Sequence, residues 1–473
     1  MRTTTIATIG PSSSEREILA SMIEHGVRIF RLNFSHAPAE EFAPIIQLIR
    51  DLERELDTTL TVLGDLSGPK IRIGKVENAP LQLSQGDRVY LGPSEYRDRY
   101  NDLAFLPLDM PEVLSGVERG APVTISDGVP RFTVSEVLEP DRVFLLQALD
   151  SGIVASSKGI TFPGKPHSLP AFTAKDKHDL HAGLEVGVDA FAQSFVQTRE
   201  DMETLRSELT SYTRYIPLIA KLERASSLEN LESILSLADG MMVARGDLGL
   251  ECSLPALPVI QKKVVRACRR HQKPAIVATQ MLLSMVNNPL PTRAEATDVA
   301  NAIMDGTDCV MLSEETAVGS YPIGATQMIR DIADQAESYL LEQMQGPYRP
   351  ENEKDTAKYL AYSACLMADH AEGKGVACHS TSGRTAALLS SRRASRPVYA
   401  LTPHVEVMRS LNFYWGVIPV QSDPAIPNHL DRVEQFVEKS DLFAKGDRIV
   451  LTSGQPTPGQ RETHTNQIKI YAK

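Results

Sequence analysis

The sequence predicts a parallel α/β barrel that is interrupted by one β-rich module and followed by a smaller α/β unit. Three observations carry this. Eight short apolar runs, mostly separated by helical patterns, lie between Thr4 and Thr316, and eight is the number of strands that closes a barrel. From about Ile73 to Ser168 the alternation stops and short, turn-rich β patterns replace it. After the Pro/Gly/Glu-rich stretch "EQMQGPYRPENEKD" (342–355), strand and helix signals resume.

The run "TTIATIG" (4–10) reads as the first strand. In "SSSEREILASMIEHG" (12–26), Ser12 and Glu15 stand at capping-box spacing, Ile18, Leu19, Met22 and Ile23 share one helical face, and Gly26 ends the helix. The remaining barrel strands are read at "VRIFRLNFS", "TLTVLGDLS", "VDAFAQSFV", "IPLIAKLE", "GMMVARGDL", "KPAIVATQM" and "DCVMLSEET". Inside the interruption, "GDRVYLGP", "APVTISDG", "RFTVSEVL" and "RVFLLQAL" have the two-residue period of strands, and a module inserted after the third strand sits naturally over the barrel mouth as a lid. The last unit carries "GKGVACHSTSGRTAALLSSRR", "RPVYALTP", "GVIPV" and "DRIVLTSG". The expected segments are 1–71 with 169–345 for the barrel, 72–168 for the insert and 346–473 for the C-terminal α/β unit.

Composition narrows the class. At 473 residues the chain exceeds what one core supports, and its 42% apolar and 23% charged residues are those of a globular protein. No run approaches the ~18 apolar residues of a membrane span, and "MRTTTIATIGPSS" lacks a signal-peptide core, so no membrane association is expected. Five cysteines without a C-x-x-C pair suit a reducing cytoplasm. A net charge of −11 argues against a general nucleic-acid binder and leaves room for a local cationic pocket.

In a barrel, catalytic residues lie at the C-terminal strand ends. Here those ends hold Arg31, Asn33 and Ser35; Asp65; Lys221 and Glu223; Arg245, Gly246 and Asp247; Thr279; and Glu314 with Glu315. Glu223 and Asp247 end adjacent strands, which suits a hard divalent ion that retains waters, most simply Mg²⁺. Beside them, Lys221, Arg31 and Arg72 point to a phosphorylated, multiply anionic substrate. His178 and His181 in "KDKHDLH" read as ordinary helix residues, and Thr292 with Glu295 as a capping box.

The strings "RLNFSH" (31–36), "DLSGPKIR" (65–72), "AKLE" (220–223), "MVARGDLGLE" (242–251), "ATQMLLSM" (278–285), "PTRAEATDVANAIMDGTDCVMLSEETAVGSYP" (291–322) and "STSGRT" (380–385) together resemble pyruvate kinase, of the bacterial type that works without K⁺. The resemblance runs in order from Thr4 to "TNQIKIY". It implies a (β/α)8 TIM barrel with an inserted all-β lid domain, a C-terminal α/β regulatory domain, a homotetramer, and phosphoryl transfer from phosphoenolpyruvate to ADP, giving ATP and pyruvate. By the same resemblance Glu223 and Asp247 hold Mg²⁺, Lys221 neutralises the phosphoryl group, Gly246 and Asp247 offer N–H groups to the substrate carboxylate, and Thr279 binds that carboxylate and relays a proton. Arg31 and Arg72 grip phosphates, with Arg72, Asn33 and Asp127 on the nucleotide. Ser380, Thr381, Ser382, Gly383, Arg384 and Thr385 form an effector phosphate loop.

Most family members that need K⁺ carry Thr, Lys and Glu where this chain has Leu66, Ser67 and Lys70, and Thr where it has Ile73. The monovalent-cation site would comprise Asn33, Ser35, Asp65 and the Leu66 carbonyl. Lys70 replaces an acid within reach of that cluster, so its ammonium is expected to stand in for K⁺. Other departures are Ala37 for the usual glycine, Ser126-Asp127-Gly128 for Asp-Asp-Gly, and "GITFPG" (159–164) for "GVNLPG". Two other readings stand beside this one: a lyase or mutase barrel acting on phosphoenolpyruvate, and an inactive effector-binding protein. The latter's mark would be loss of Lys221, Glu223, Asp247 or Thr279, and none is lost.

Overall fold

The computed structural model describes residues 1–126, 128–165, 169–350, 354–454 and 465–473. Eight parallel strands close a barrel: β1 (Thr4–Thr8), β2 (Val27–Asn33), β3 (Thr61–Leu66), β4 (Ala190–Gln193), β5 (Leu218–Leu222), β6 (Gly240–Ala244), β7 (Ala275–Ala278) and β8 (Cys309–Leu312). Each pairs with the next in sequence, and β8 closes on β1 with Cys309 opposite Thr4.

Strand alternation decides what lines the barrel. Ile29, Leu63 and Ile219 turn inward, where they pack with Ile6, Met242 and Ile276, whereas Phe30, Val62 and Ala220 face the surrounding helices. Two residues further along, the same period turns Arg31, Asp65 and Lys221 inward at the C-terminal end. Phe413, far beyond the barrel in sequence, joins the inner apolar layer, its carbonyl accepting the Cys309 thiol (3.4 Å) at the start of β8.

The expected capping box at Ser12 and Glu15 does not form. The helix begins at Arg16, and Glu15 itself is the extended cap residue, with no side-chain cap bond. Ser13 holds the preceding loop instead, its Oγ accepting from Gly10 N–H (3.1 Å). The helix face is as expected, with Leu19, Met22 and Ile23 buried. Thr292 and Glu295 do form their box, Oε2 of Glu295 accepting Thr292 N–H at 2.7 Å.

After β3 the chain leaves the barrel for a six-stranded sheet in the order Ile160–Thr161, Pro122–Ile125, Arg131–Glu139, Val143–Ala148, Arg88–Gly92, Phe105–Pro107. A two-stranded ribbon, Leu81–Leu83 with Gly152–Val154, completes this insert. Its core of Val89, Leu91, Phe132, Phe144 and Leu146 is separate from that of the barrel. The C-terminal sheet runs Val417–Gln421, Val398–Thr402, Gly375–His379, Arg448–Ser453, Gln467–Ala472, and only the last strand is antiparallel. Buried Arg393 ties this unit to Asp308 of the barrel (2.8 Å), and Arg409 bridges to Glu53 (2.6 Å) and Asp189 (3.1 Å). Among the described residues no helix is long and apolar enough to cross a membrane, and all five cysteines are free.

Candidate active site

At the C-terminal mouth of the barrel, Asp65 is 2% exposed and serves two cations: Oδ2 accepts from Arg31 Nε (2.6 Å) and Oδ1 from Lys221 Nζ (3.0 Å). Lys221 also donates to Ser194 Oγ (2.7 Å) and pairs with Glu223 Oε1 (2.9 Å). Arg31 reaches Thr8 Oγ1 (3.1 Å). Burial works against the charge on Asp65, but Lys221 and Arg31 outweigh it and hold the carboxyl below its ordinary pKa. Burial likewise opposes the Lys221 ammonium, and Asp65 and Glu223 outweigh it, so that pKa is raised.

Glu223 is held from a second side, Oε2 accepting the backbone N–H of Phe195 (2.9 Å). Its pKa is raised by burial and by Asp247, with Lys221 pulling the other way. Asp247 lies in the first turn of the Arg245–Glu251 helix after β6, next to β5, and its carboxylate is exposed. The two carboxylates act on one another as like charges, a repulsion that a cation bound between them would relieve.

Thr279, just past β7, has φ +70, and Gln280 has φ +52. A β-branched residue in the left-handed region stores roughly 1–3 kcal/mol of strain, a cost that surrounding structure sustains at functional positions. Its Oγ1 accepts Gly246 N–H (2.8 Å) and donates to the Ala278 carbonyl (2.6 Å). The Gly246 amide is therefore turned toward Thr279, and the two form one polar surface. Arg245 serves structure, pairing with Asp298 (2.6 Å). Glu315 does too, accepting the N–H groups of Leu282 (3.0 Å) and Ser313 (2.8 Å).

The "SGPK" turn leads out of β3. Gly68 has φ +62 and packs so closely that a Cβ would sit 2.8 Å from the Phe195 ring. Its N–H is taken by Asp176 Oδ1 (3.1 Å). The chain then carries Lys70 and Arg72 past the mouth. Arg72 Nη1 donates to the Ser157 carbonyl of the insert (2.7 Å). Lys70 is exposed, yet its pKa is lowered by partial desolvation and by Arg72, with Asp247 and Glu223 opposing and Lys221 adding to the effect. Asp65 itself is engaged by Arg31 and Lys221, and the charge that acts most on Lys70 is Arg72, followed by Asp247, Lys221 and Glu223. Asn33 Oδ1 accepts Ser35 N–H (3.1 Å), and buried Leu66 ends β3 beside them. Asp127 lies outside the described residues.

Several residues here were not singled out from sequence. Ser194 and Phe195 end an apolar run that looks like core. Lys175 donates to the Phe34 carbonyl (2.6 Å) and Asp179 (2.5 Å), placing a second tethered ammonium against the 33–35 loop. The Thr173/Asp176 capping box beside it was the available signal. His178 pairs with Glu40 (2.7 Å) and His181 with Tyr212 Oη (3.0 Å), both on one helix as expected. Among the described residues no cluster of three or more metal-ligating side chains occurs.

In the C-terminal unit, Gly383 (φ +83) caps the Arg384–Ser391 helix. Ser380 Oγ accepts Thr385 N–H (3.1 Å), and Thr385 Oγ1 meets Thr465 Oγ1 (2.9 Å). Thr381, Ser382 and Arg384 are exposed at the edge of a cavity that His379, His429 and Gly454 also line.

A family model described as "Pyruvate kinase, barrel domain" matches residues 1–326, and one described as "Pyruvate kinase, alpha/beta domain" matches residues 358–471. A pyruvate kinase of Agrobacterium vitis is 39% identical over 477 residues, covering 99% of this chain and 96% of its own. One from Clostridium perfringens is 36% identical over 482 residues, covering 99% of both, and one from Methylorubrum extorquens 36% over 479 residues, covering 99% and 97%.

Proposed function

The chain belongs to the pyruvate kinase family, and from that premise we propose how its own residues transfer the phosphoryl group of phosphoenolpyruvate to ADP, yielding ATP and pyruvate in the final step of glycolysis. The observation that carries the proposal is the buried network of Arg31, Asp65, Lys221 and Glu223 at the barrel mouth.

Glu223 and Asp247 fit a divalent ion, because they are two carboxylates at one barrel mouth whose like charges act on one another, one of them buried. When bound there, Mg²⁺ supplies charge neutralisation to the phosphate and enolate oxygens. Lys221, fixed by Asp65 and Ser194, neutralises the phosphoryl group in flight. Arg31 holds the substrate phosphate, and Arg72, at the insert's edge, holds the nucleotide with Asn33 and Asp127. The substrate carboxylate takes the place of Thr279 as partner of the Gly246 N–H and joins Asp247 N–H, which frees the Thr279 hydroxyl to bind it and to relay the proton that completes pyruvate.

Lys70 removes the need for K⁺ at the Asn33, Ser35, Asp65 and Leu66 cluster, through the charge it adds to the same mouth. The Ser380–Thr385 loop takes the phosphate of an effector. The enzyme works as a cytoplasmic homotetramer whose segments are 1–71 with 169–345, 72–168 and 346–473; the assembly and compartment rest on family resemblance. Lys221→Met is the test: ADP-dependent pyruvate formation disappears while enol proton exchange of pyruvate persists, and near-normal turnover in the folded variant overturns the assignment.

A further inference from the structure

We propose that Arg224 and Glu251 are a pair of positioning residues that couple the β-rich insert to the metal-binding carboxylate Glu223. Neither touches substrate. Arg224 Nη1 donates to Glu251 Oε1 (2.5 Å), and both side chains are nearly buried, at 8% and 4% exposure. Glu251 ends the short helix whose first turn holds Gly246 and Asp247. Its other oxygen, Oε2, faces the N–H of Gly164 in the insert (3.4 Å). Leu250 beside it touches the insert as well, since a Cβ on Gly128 would lie 3.1 Å from its Cδ2.

On the other side, the Arg224 guanidinium stacks 5.0 Å from the Phe195 ring centroid. Phe195 is held at φ +57, a conformation that a bulky residue keeps only when its surroundings impose it. That conformation points the Phe195 N–H at Glu223 Oε2. Arg224 Nε has no hydrogen-bond partner among the described residues, so the guanidinium is held by the ion pair at one end and by the ring at its face. A continuous set of contacts thus runs from the insert amide through Glu251, Arg224 and Phe195 to the carboxylate. The inference extends the proposed role of Glu223 and rests on it.

Mn²⁺ binding to the full-length enzyme without substrate, and hydrogen exchange in the 159–165 segment, test this directly. Arg224→Met is expected to weaken Mn²⁺ binding roughly tenfold, the scale on which partners of metal ligands act, and Arg224→Lys to restore most of it. Glu251→Gln, isosteric and able to fold if Arg224→Met is not, is expected to weaken Mn²⁺ binding in the same direction and to speed exchange in 159–165. If both variants bind Mn²⁺ as the native enzyme does and only melt earlier, the pair is a plain structural salt bridge and the proposal fails. If Mn²⁺ binding falls while exchange in 159–165 is unchanged, the coupling to the insert is refuted. If Glu223→Gln itself leaves Mn²⁺ binding unaltered, the fault lies with the metal assignment.

Discussion

Asp65 Oδ1 lies 3.0 Å from Lys221 Nζ, and its other oxygen lies 2.6 Å from Arg31, so one buried carboxylate orients two cations at the barrel mouth. Its effect is on geometry as much as charge, because it fixes the position of both cations at the barrel mouth.

Asp65→Asn therefore leaves two buried cations facing a neutral amide. Losing one partner of a buried ion pair costs about 3–5 kcal/mol. The variant is expected to melt several degrees lower and to lose at least about a hundredfold in kcat/KM, the scale set by misplaced catalytic groups. Calorimetry and a coupled assay read both; native kcat/KM in the variant would remove Asp65 from the account.

Lys70 shares the mouth with Glu223, Asp247 and Lys221. Full activity is expected in K⁺-free buffer containing a bulky quaternary ammonium salt, and Lys70→Glu is expected to create a K⁺ requirement. Strong K⁺ activation of the native enzyme refutes the assignment.

Arg384 stands exposed at the Gly383 cap, on the edge of the cavity that His379 and His429 line. Activation by fructose 1,6-bisphosphate, glucose 6-phosphate, ribose 5-phosphate and AMP should identify an activator. Arg384→Ala is expected to raise its half-saturating concentration at least about tenfold, the loss of one charge-assisted phosphate contact. Unchanged half-saturation for each of them contradicts the loop's role.

His379 is 2% exposed and stacks on His429 at 4.0 Å, and its Nε2 accepts from Arg432 (2.9 Å). Burial lowers its pKa from 6.5 to about 3, with His429, Arg432 and His404 acting in the same direction. In the folded chain it stays neutral, whereas unfolded it gains a proton below 6.5, so acid favours unfolding. Its contribution is complete above pH 6.5 and is lost progressively from there down to about pH 3. Thermal unfolding at pH 7 and pH 5 should show the native chain losing more stability than His379→Gln over that interval. Parallel losses contradict it.

The eight strands, the β-rich interruption and the polar strand ends were legible because each is a local property: period, turn residues and the residue that ends a run. Glu223 and Asp247 could be paired from sequence because adjacent strands of a barrel are consecutive in the chain. The helix start at Arg16 was not legible, since Ser12 and Glu15 have the right spacing and only the loop held by Ser13 decides against it. What the tertiary structure alone decided is which charges meet. Asp65 joins Lys221 across 156 residues, Glu251 meets an insert amide 87 residues away, and Phe195 takes a left-handed turn to serve Glu223. Such contacts depend on barrel closure and on the path of the insert, which bring side chains together through space without leaving any period or spacing in the chain.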